Sequence, residues 1–379
     1  MHIAVDVRHL TNPHPTGVGL YTLHILRAML HAPEHTWSLF STGTLQRKLV
    51  AQSHLEGVID GEHVRNIHQL VPNRWLNASV LLTHRPAFDP LLQSAPDVWF
   101  LPNINFFPAT HTPVVLTLHD LSFVLLPQTY TKKYRLWHRL VRPGHLATHA
   151  TALVVPSQAT GHDVAHTYGV HPQRIHVVTH GVSPSFTPEK TPQDHGVRSR
   201  YNLPRTYLLH PGSGVRKNTR AVIDAYEEAW RTSEVLRRHD VHLVLFGRND
   251  SQTSTRVHAL GYVAEGDKPA LYRYASATVY PSLYEGFGLP IIESFASGTP
   301  VITSTVPALL EVGGTGVLSV NPFNPRDIAE AIKLVIEDEV SRQMLVREGF
   351  NRVESFSWER AGKETLRVLE HATHTDRSL

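Results

Sequence analysis

The hydrophobic pattern of the chain alternates between short apolar runs and longer stretches with helical periodicity. Short runs have the length of buried strands, whereas residues 18–31 carry apolar side chains at helical spacing along one face. This alternation predicts an α/β fold, in which helices pack on parallel sheets. In the first half the predicted strands are 2–7, 36–40, 97–101, 113–118, 151–155 and 174–178, and the predicted helices are 18–31, 131–149 and 157–168.

The alternation restarts after residues 183–200, which are rich in proline and polar residues and which we interpret as an interdomain linker. Beyond them the predicted strands are 206–210, 241–246, 277–280, 301–303 and 316–320, and the predicted helices are 218–231, 269–275, 289–297, 325–337, 340–352 and 357–371. We therefore predict two Rossmann-like, doubly wound domains, 1–185 and 186–355. A final helix in 356–379 would pack back on the first domain. Such domains bind ligands outside the carboxyl ends of their strands, so we expect the site in an interdomain cleft.

Composition narrows the classes of function. A length of 379 residues suits two domains, and the absence of cysteine excludes disulfides, a thiolate nucleophile and a zinc–thiolate site. No stretch approaches the roughly 18 apolar residues of a membrane span. We expect a cytoplasmic protein, at most peripheral at the inner face of the cell membrane. A formal charge of +3 gives no reason to expect a nucleic-acid partner.

The most informative segment is residues 280–300, where an apolar strand, a glycine-containing loop and a helix follow one another. Gly288 lies in the loop, and Pro290 suits the first helical turn, where a missing N–H costs nothing. The N–H groups and dipole of such a helix start favour an anion such as a diphosphate. Glu285 in the loop and Glu293 one turn into the helix could accept hydrogen bonds from sugar hydroxyls. The alternative is a plain strand–loop–helix with two solvated glutamates.

Glu285 and Glu293 resemble the paired-glutamate motif of glycosyltransferase family 4, whose members are retaining enzymes of the GT-B fold. The likeness extends over nearly the whole chain and is greatest to the bacterial mannosyltransferases. It implies that Glu285 is a catalytic residue in contact with the donor sugar and that Glu293 holds the ribose of the nucleotide. It also implies that the amides of Phe287, Gly288 and Leu289 face the sugar and phosphate.

A second glycine-containing strand-to-helix turn begins at Gly212 and ends in two cations, Arg216 and Lys217. Charge-assisted hydrogen bonds are worth about 1.5–3 kcal/mol each, so two cations could neutralise a diphosphate leaving group. The alternative is a solvated basic helix start, which would oppose the helix dipole. The family's Arg-Lys-Asn signature matches here, and the resemblance assigns this turn to the diphosphate of the donor.

Three further segments are assigned by the resemblance. His119 follows a buried-looking strand and would hydrogen-bond a hydroxyl of the reacting sugar as a second catalytic residue, although a lone histidine there is more often structural. Gly17 and Gly19 correspond to the family's N-terminal glycine loop, which meets the diphosphate and the acceptor. Tyr262 and Val263 resemble the strand edge that pairs with the nucleotide base through backbone groups.

The basic and aromatic segment 130–142 has helical spacing. Two interpretations stay open: it rests on an anionic membrane near a lipid-linked acceptor, or it is a core helix with a solvated basic face.

No metal or other cofactor is expected. His162 and His166 flank Asp163 as in a zinc-protease helix, but no third ligand is evident. An exposed helix face is the simpler interpretation.

The sequence thus predicts transfer of a hexose, mannose first, from a nucleotide sugar such as GDP-mannose or a UDP-hexose to a glycan or lipid-linked acceptor in polysaccharide synthesis. Because no residue is an evident covalent nucleophile, retention favours attack by the acceptor on the face that the diphosphate leaves. The alternatives are a sugar-nucleotide epimerase or hydrolase of the same fold and a non-catalytic nucleotide-sugar binding subunit.

Overall fold

The computed structural model describes residues 1–13, 17–30, 32–59, 61, 63–92, 94–247 and 254–374. The chain forms two compact units. The first comprises Met1–Phe123, Tyr130–Gly181 and Trp358–Leu379, and the second comprises Val124–Thr129 and Val182–Ser357.

Each unit is built on a parallel sheet. The strands are β1 (His2–Asp6), β2 (Thr36–Thr42), β3 (Val64–Gln69), β4 (Val98–Leu101), β5 (Val114–Thr117), β6 (Ala152–Val155), β7 (Ile175–Val177), β8 (Thr206–Pro211), β9 (Val241–Phe246), β10 (Val257–Ala259), β11 (Ala277–Tyr280), β12 (Val301–Ser304) and β13 (Val317–Val320). Their order is β3-β2-β1-β4-β5-β6-β7 in the first sheet and β10-β9-β8-β11-β12-β13 in the second. The order reverses between β1 and β4 and between β8 and β11, which makes both units doubly wound.

The helices are α1 (Gly17–Met29), α2 (Leu45–Leu55), α3 (Asn73–Thr83), α4 (Ser122–Leu125), α5 (Lys132–Val141), α6 (Pro143–His149), α7 (Gln158–Tyr168), α8 (Pro192–Arg200), α9 (Thr219–Thr232), α10 (Glu234–Arg238), α11 (Lys268–Arg273), α12 (Leu289–Ala296), α13 (Pro307–Gly313), α14 (Pro325–Glu337), α15 (Glu339–Val353) and α16 (Trp358–His374). Helices α1–α13 lie between successive strands, and α14–α16 follow the last strand. None of the helices in the described ranges is long and apolar enough to cross a bilayer.

The last helix packs within the first unit. Along α16, Trp358, Val368 and Leu369 are buried in the same apolar cluster as the inner face of α1. Gly362 lets the two helices approach closely, because a Cβ there would lie 2.7 Å from the Cβ of Ala28.

Two sequence expectations differ from the structure. Residues 183–200, interpreted as a linker, lie inside the second unit, where Phe186 is buried and the Asp194 carboxylate pairs with Arg273 at 2.7 Å. A capping box between Thr191 and Asp194 starts α8 in this polar stretch. The predicted helix 131–149 is divided at Arg142, whose φ of 57° ends α5 and precedes α6.

Candidate active site

The two glycine-containing turns lie side by side at the point where the strand order of the second sheet reverses. β8 ends at Pro211 and β11 ends at Tyr280, and these two strands are neighbours. The turns are joined by a hydrogen bond of 2.9 Å from the Leu283 amide to the Arg216 carbonyl oxygen. Ligands of open α/β sheets bind outside the carboxyl ends of the strands at this position, so the fold places both turns where a ligand is expected.

The turn after β8 depends on backbone that favours glycine. Gly212 has a φ of +105°, and a Cβ there would lie 3.0 Å from Cγ of Lys217. The absence of a side chain therefore lets the stem of Lys217 lie along the turn. Asn218 then caps α9 with a φ of 62°, and its amide group donates to the carbonyl oxygen of Pro281 at 3.2 Å in the neighbouring loop.

The loop after β11 leads directly into α12. Gly288 is the N-cap with a φ of +113°, and a Cβ there would lie 2.6 Å from Cδ2 of Leu309. Leu289 and Pro290 form the first positions of the helix. Pro290 has no N–H, and the Ile291 amide donates to the Gly288 carbonyl oxygen at 2.9 Å. Gly288 and Leu289 therefore supply the N–H groups that can face an anion at this end of the helix.

Glu285 joins the two turns through an ion-paired cluster. Arg216 Nη1 donates to its Oε2 at 2.8 Å, and Lys217 Nζ donates to its Oε1 at 2.6 Å. Only 9% of the Glu285 side chain is exposed, against 26% for Arg216 and 19% for Lys217. Burial raises the pKa of Glu285, but the charges of Lys217 and Arg216 outweigh it and bring the pKa to about 2. Two cations against one carboxylate leave this trio with a net positive charge, which suits a bound anion.

Tyr280 is a member of this cluster that the sequence did not identify. Its hydroxyl accepts a hydrogen bond from Lys217 Nζ, which also lies 4.7 Å from the centroid of the ring. Burial raises the pKa of Tyr280 well above its usual range, so the phenol stays neutral. The only sequence signal was its position as the last residue of a strand before the glycine loop.

Glu293 has a different environment from Glu285. It lies in α12 and accepts a hydrogen bond from the hydroxyl of Tyr272 at 2.6 Å. Burial raises the pKa of Glu293, while Lys268 and the Tyr272 hydroxyl offset part of this effect. The family motif therefore contains two different carboxylates. Cations keep Glu285 ionised, whereas Glu293 is positioned mainly by its hydrogen bond from the phenol of Tyr272. Tyr272 was also missed, since it reads as a core residue of α11.

The segment predicted to contact the base is a loop and not a strand edge. β10 ends at Ala259, and Gly261 turns the chain with a φ of +68°. The Gly261 carbonyl accepts from the amide of Gly247 at 2.7 Å. Tyr262 follows with 61% of its surface exposed, whereas Val263 is buried.

His119 lies two residues beyond β5 in the first unit. Its Nε2 lies 2.8 Å from the carbonyl oxygen of Pro102, which can only accept, so Nε2 carries the proton and Nδ1 is an acceptor. The ring meets Tyr21 edge to face at 4.6 Å and lies 5.7 Å from His180. Burial lowers the pKa of His119, which favours the neutral imidazole at pH 7.

Gly17 and Gly19 lie in the first turn of α1 and not in a loop. The apolar stripe of this helix packs on the sheet, which extends the helix back to Gly17. Residues 14–16, which the glycine-loop interpretation also included in part, lie outside the described residues.

His162 and His166 stack with their ring centroids 6.3 Å apart on α7. Within the described part of the chain there is no group of three or more histidine, aspartate or glutamate side chains arranged to hold a metal ion.

Two protein families match consecutive parts of the chain. Residues 15–186 match Glycosyltransferase Family 4, and residues 201–352 match Glycosyl transferases group 1. The chain belongs to glycosyltransferase family 4. The family predicted from Glu285 and Glu293 is thereby confirmed, and with it the enzyme class, a glycosyltransferase.

Comparison with known proteins of similar sequence and structure supports this family assignment. The glycosyltransferase is 27% identical over 369 residues to O-antigen chain mannosyltransferase B of Escherichia coli, covering 94% of this chain and 96% of that one. Its structure is similar to sucrose-phosphate synthase of Thermosynechococcus elongatus, with a TM-score of 0.72, 19% identity and coverage of 99% and 100%. It is also similar to Anabaena HepE in complex with UDP-glucose, with a TM-score of 0.69, 18% identity and coverage of 98% and 100%. These likenesses confirm the predicted fold of two Rossmann-like domains.

Proposed function

We propose that this glycosyltransferase moves a hexose, with mannose as the first candidate, from a nucleoside-diphosphate sugar to a hydroxyl of a glycan or lipid-linked acceptor in polysaccharide synthesis. The choice of mannose is supported by the name of the Escherichia coli relative, a mannosyltransferase, and points to GDP-mannose as the donor. A UDP-hexose is the other donor to test, because the Anabaena protein of similar fold was crystallised with UDP-glucose.

The observation that carries the proposal is the cluster of Arg216, Lys217 and Glu285 beside the start of α12. A diphosphate bound there would meet two cations and the amides of Gly288 and Leu289 at the start of the helix. The ion pairs with Glu285 hold both cations in position, so these groups can stabilise negative charge on the leaving diphosphate with little reorganisation. Tyr280 helps to hold the ammonium of Lys217 in position.

In the proposed reaction, the bond between the anomeric carbon and the phosphate oxygen breaks while the acceptor oxygen bonds to the same face of that carbon. The acceptor proton passes to the departing phosphate oxygen. Positive charge develops on the sugar, and the diphosphate takes up the electron pair. Glu285 accepts hydrogen bonds from sugar hydroxyls, and the unprotonated Nδ1 of His119 accepts another. The predicted roles of Glu293 toward the ribose and of Tyr262 and Val263 toward the base belong to the same proposal.

We extend the proposal to a peripheral contact between α5 and an anionic membrane at the inner face of the cell membrane. Trp137 and Val141 pack inward, whereas Tyr134, Leu136 and Leu140 expose 51%, 57% and 38% of their surfaces. The same helix is basic, and apolar side chains among cations are typical of surfaces that bind anionic lipid.

Cosedimentation with phosphatidylglycerol vesicles tests this contact. Reversing the charges of Lys132, Lys133 and Arg135 together should abolish binding at low salt. Binding equal to that of the wild type would exclude α5 as the contact.

The donor assignment is tested by thermal unfolding with GDP, UDP, GDP-mannose and UDP-glucose, because a ligand that binds only the folded state raises the melting temperature. We expect either the guanosine or the uridine compounds, but not both, to raise the melting temperature. Arg216→Gln should strongly reduce this rise. Arg220→Gln, at the second residue of α9 and paired with Asp224 at the surface, is the matched control and should respond like the wild type. Transfer from the stabilising donor is then measured with radiolabelled sugar and a lipid extract. Full stabilisation of Arg216→Gln would refute the diphosphate site.

A further inference from the structure

The first unit contains an apolar pocket to which the function proposed above assigns no role. Its volume is about 420 Å³, which lies within the range of small-molecule sites. Its walls come from α3, from the segment between β4 and β5, and from the consecutive helices α5 and α6. Among the described residues that line it, none belongs to the predicted donor or catalytic set.

The interior of the pocket is hydrocarbon. Leu101, Phe106 and Leu116 expose 1%, 8% and 0% of their surfaces, and Val141 and Ala150 are also buried. Protein interiors are close-packed, and side chains that line an unfilled space lose the dispersion contacts of one side. An aliphatic chain would restore those contacts, whereas water would find few partners along these walls.

The mouth of the pocket is polar and of one charge sign. Arg142 and His84 both lie on its rim, exposed to solvent. His145 and His149 lie beside them, one turn apart on α6, with ring centroids 4.0 Å apart. No aspartate or glutamate is among the described residues that line the pocket. The rim therefore carries one permanent cation and three imidazoles, and it offers donors to an anionic group.

We propose that this pocket binds an amphiphile with one aliphatic chain and an anionic head group, with the chain against Phe106 and Leu116 and the head group at Arg142. The two parts of the pocket match the two parts of such a molecule, because hydrocarbon walls lead to a cationic rim. The head group can be a phosphate, as in a lipid phosphate, or a carboxylate, as in a fatty acid. The proposal does not depend on the assignment of the donor site, since every residue of the pocket lies in the first unit.

Isothermal titration of the full chain with dodecyl phosphate, below its critical micelle concentration, tests the proposal. Saturable binding of one molecule per chain is expected. Ala109→Trp places a large side chain at an exposed position of the pocket wall and should weaken binding at least tenfold. Arg142→Gln removes the permanent charge of the rim and should weaken it about tenfold, as expected for one charge-assisted hydrogen bond. Arg139→Gln, on the same helix but outside the pocket lining, is the matched control and should bind within twofold of the wild type.

Two probes separate the contributions of chain and charge. Dodecyltrimethylammonium has the same chain with a cationic head and should bind much more weakly, and inorganic phosphate should not bind at the same concentrations. Dodecanoate, which has a chain of matched length, distinguishes the source of the anion: tighter binding than dodecyl phosphate indicates a fatty acid, and weaker binding indicates a lipid phosphate.

The proposal is overturned if Ala109→Trp binds dodecyl phosphate as tightly as the wild type while retaining its melting temperature. It is also overturned if inorganic phosphate competes with dodecyl phosphate at equal concentration. The nucleotide-induced rise in melting temperature is measured on the same samples. If that rise is absent but dodecyl phosphate binds, the donor assignment fails and the pocket assignment stands.

Discussion

Replacing Glu285 by glutamine tests the ion-paired cluster most directly. The substitution keeps the shape of the side chain but removes the charge that lies between Arg216 and Lys217. In the folded protein the pKa of Glu285 falls from 4.5 to about 2. Since each pKa unit corresponds to about 1.4 kcal/mol, ionised Glu285 contributes roughly 3 kcal/mol to stability at neutral pH. The side chain is 9% exposed, so solvent screening reduces this figure only slightly.

The sign of the pH dependence follows from the lowered pKa. The contribution of Glu285 is fully present above pH 4.5, where the unfolded chain is also ionised, and it is lost as the pH falls from 4.5 toward 2. Glu285→Gln should therefore be about 3 kcal/mol less stable than the wild type at pH 7, and the two proteins should converge as the pH approaches 2.

Urea unfolding at a series of pH values measures this difference. The two units can unfold in separate transitions. The transition to compare is the one whose urea midpoint a bound nucleotide raises, because the cluster lies in the second unit. Glu330→Gln is the control: this glutamate pairs with Lys333 on the surface with 71% of its side chain exposed, and exposed pairs contribute about 1 kcal/mol or less. A difference for Glu285→Gln that stays the same from pH 7 to pH 2.5, or one below about 0.5 kcal/mol at pH 7, would refute the reasoning.

Two further predictions concern the helix start and the first unit. Gly288→Ala should lower the stability of the second unit by about 1–3 kcal/mol, because φ is +113° and the new Cβ would lie 2.6 Å from Leu309; an unchanged melting temperature would contradict this. His119→Gln can keep a donor to the Pro102 carbonyl, but its amide oxygen does not occupy the ring position of Nδ1, so transfer should fall about 10–100-fold at an unchanged melting temperature. Burial lowers the pKa of His119, so protonation of this residue should reduce the wild-type kcat/KM only below pH 6.5. If His119→Gln is as active as the wild type, His119 does not have this role.

The strands with strong apolar runs were predictable from sequence, and so was the doubly wound fold. β3 and β10 were missed because their residues give little alternation: β3 reads Val-Arg-Asn-Ile-His-Gln, with only two buried positions. Both strands lie at the edge of a sheet, where one neighbour suffices and the apolar signal is weak. The helix α8 was missed for a related reason, since proline and polar residues resemble a linker until the pairing of Asp194 with Arg273 is seen.

The site was predictable where it depends on backbone chemistry. Glycine at positive φ and proline at the first helical turn leave a local pattern, and both turns were located from it. Tyr280 and Tyr272 left no such pattern, because a tyrosine hydroxyl at the end of an apolar run resembles any core tyrosine. The ion pairs of Glu285 could also not be predicted from the sequence, since they join residues 68 and 69 positions apart.

The ion pairs give Glu285 a second function beside the contact with the sugar that the family resemblance implies. A carboxylate has about four lone-pair sites, and the bonds to Arg216 and Lys217 use one on each oxygen. The neutral hydroxyls of Tyr280 and Ser282 also contact this carboxylate. A sugar hydroxyl that displaces one of them leaves both cations bound. One carboxylate would then connect the sugar, which gains positive charge in the reaction, to the two cations that stabilise the departing diphosphate. Loss of its charge should therefore disturb both ends of the breaking bond. For Glu285→Gln we expect sugar transfer to be reduced more than nucleotide binding.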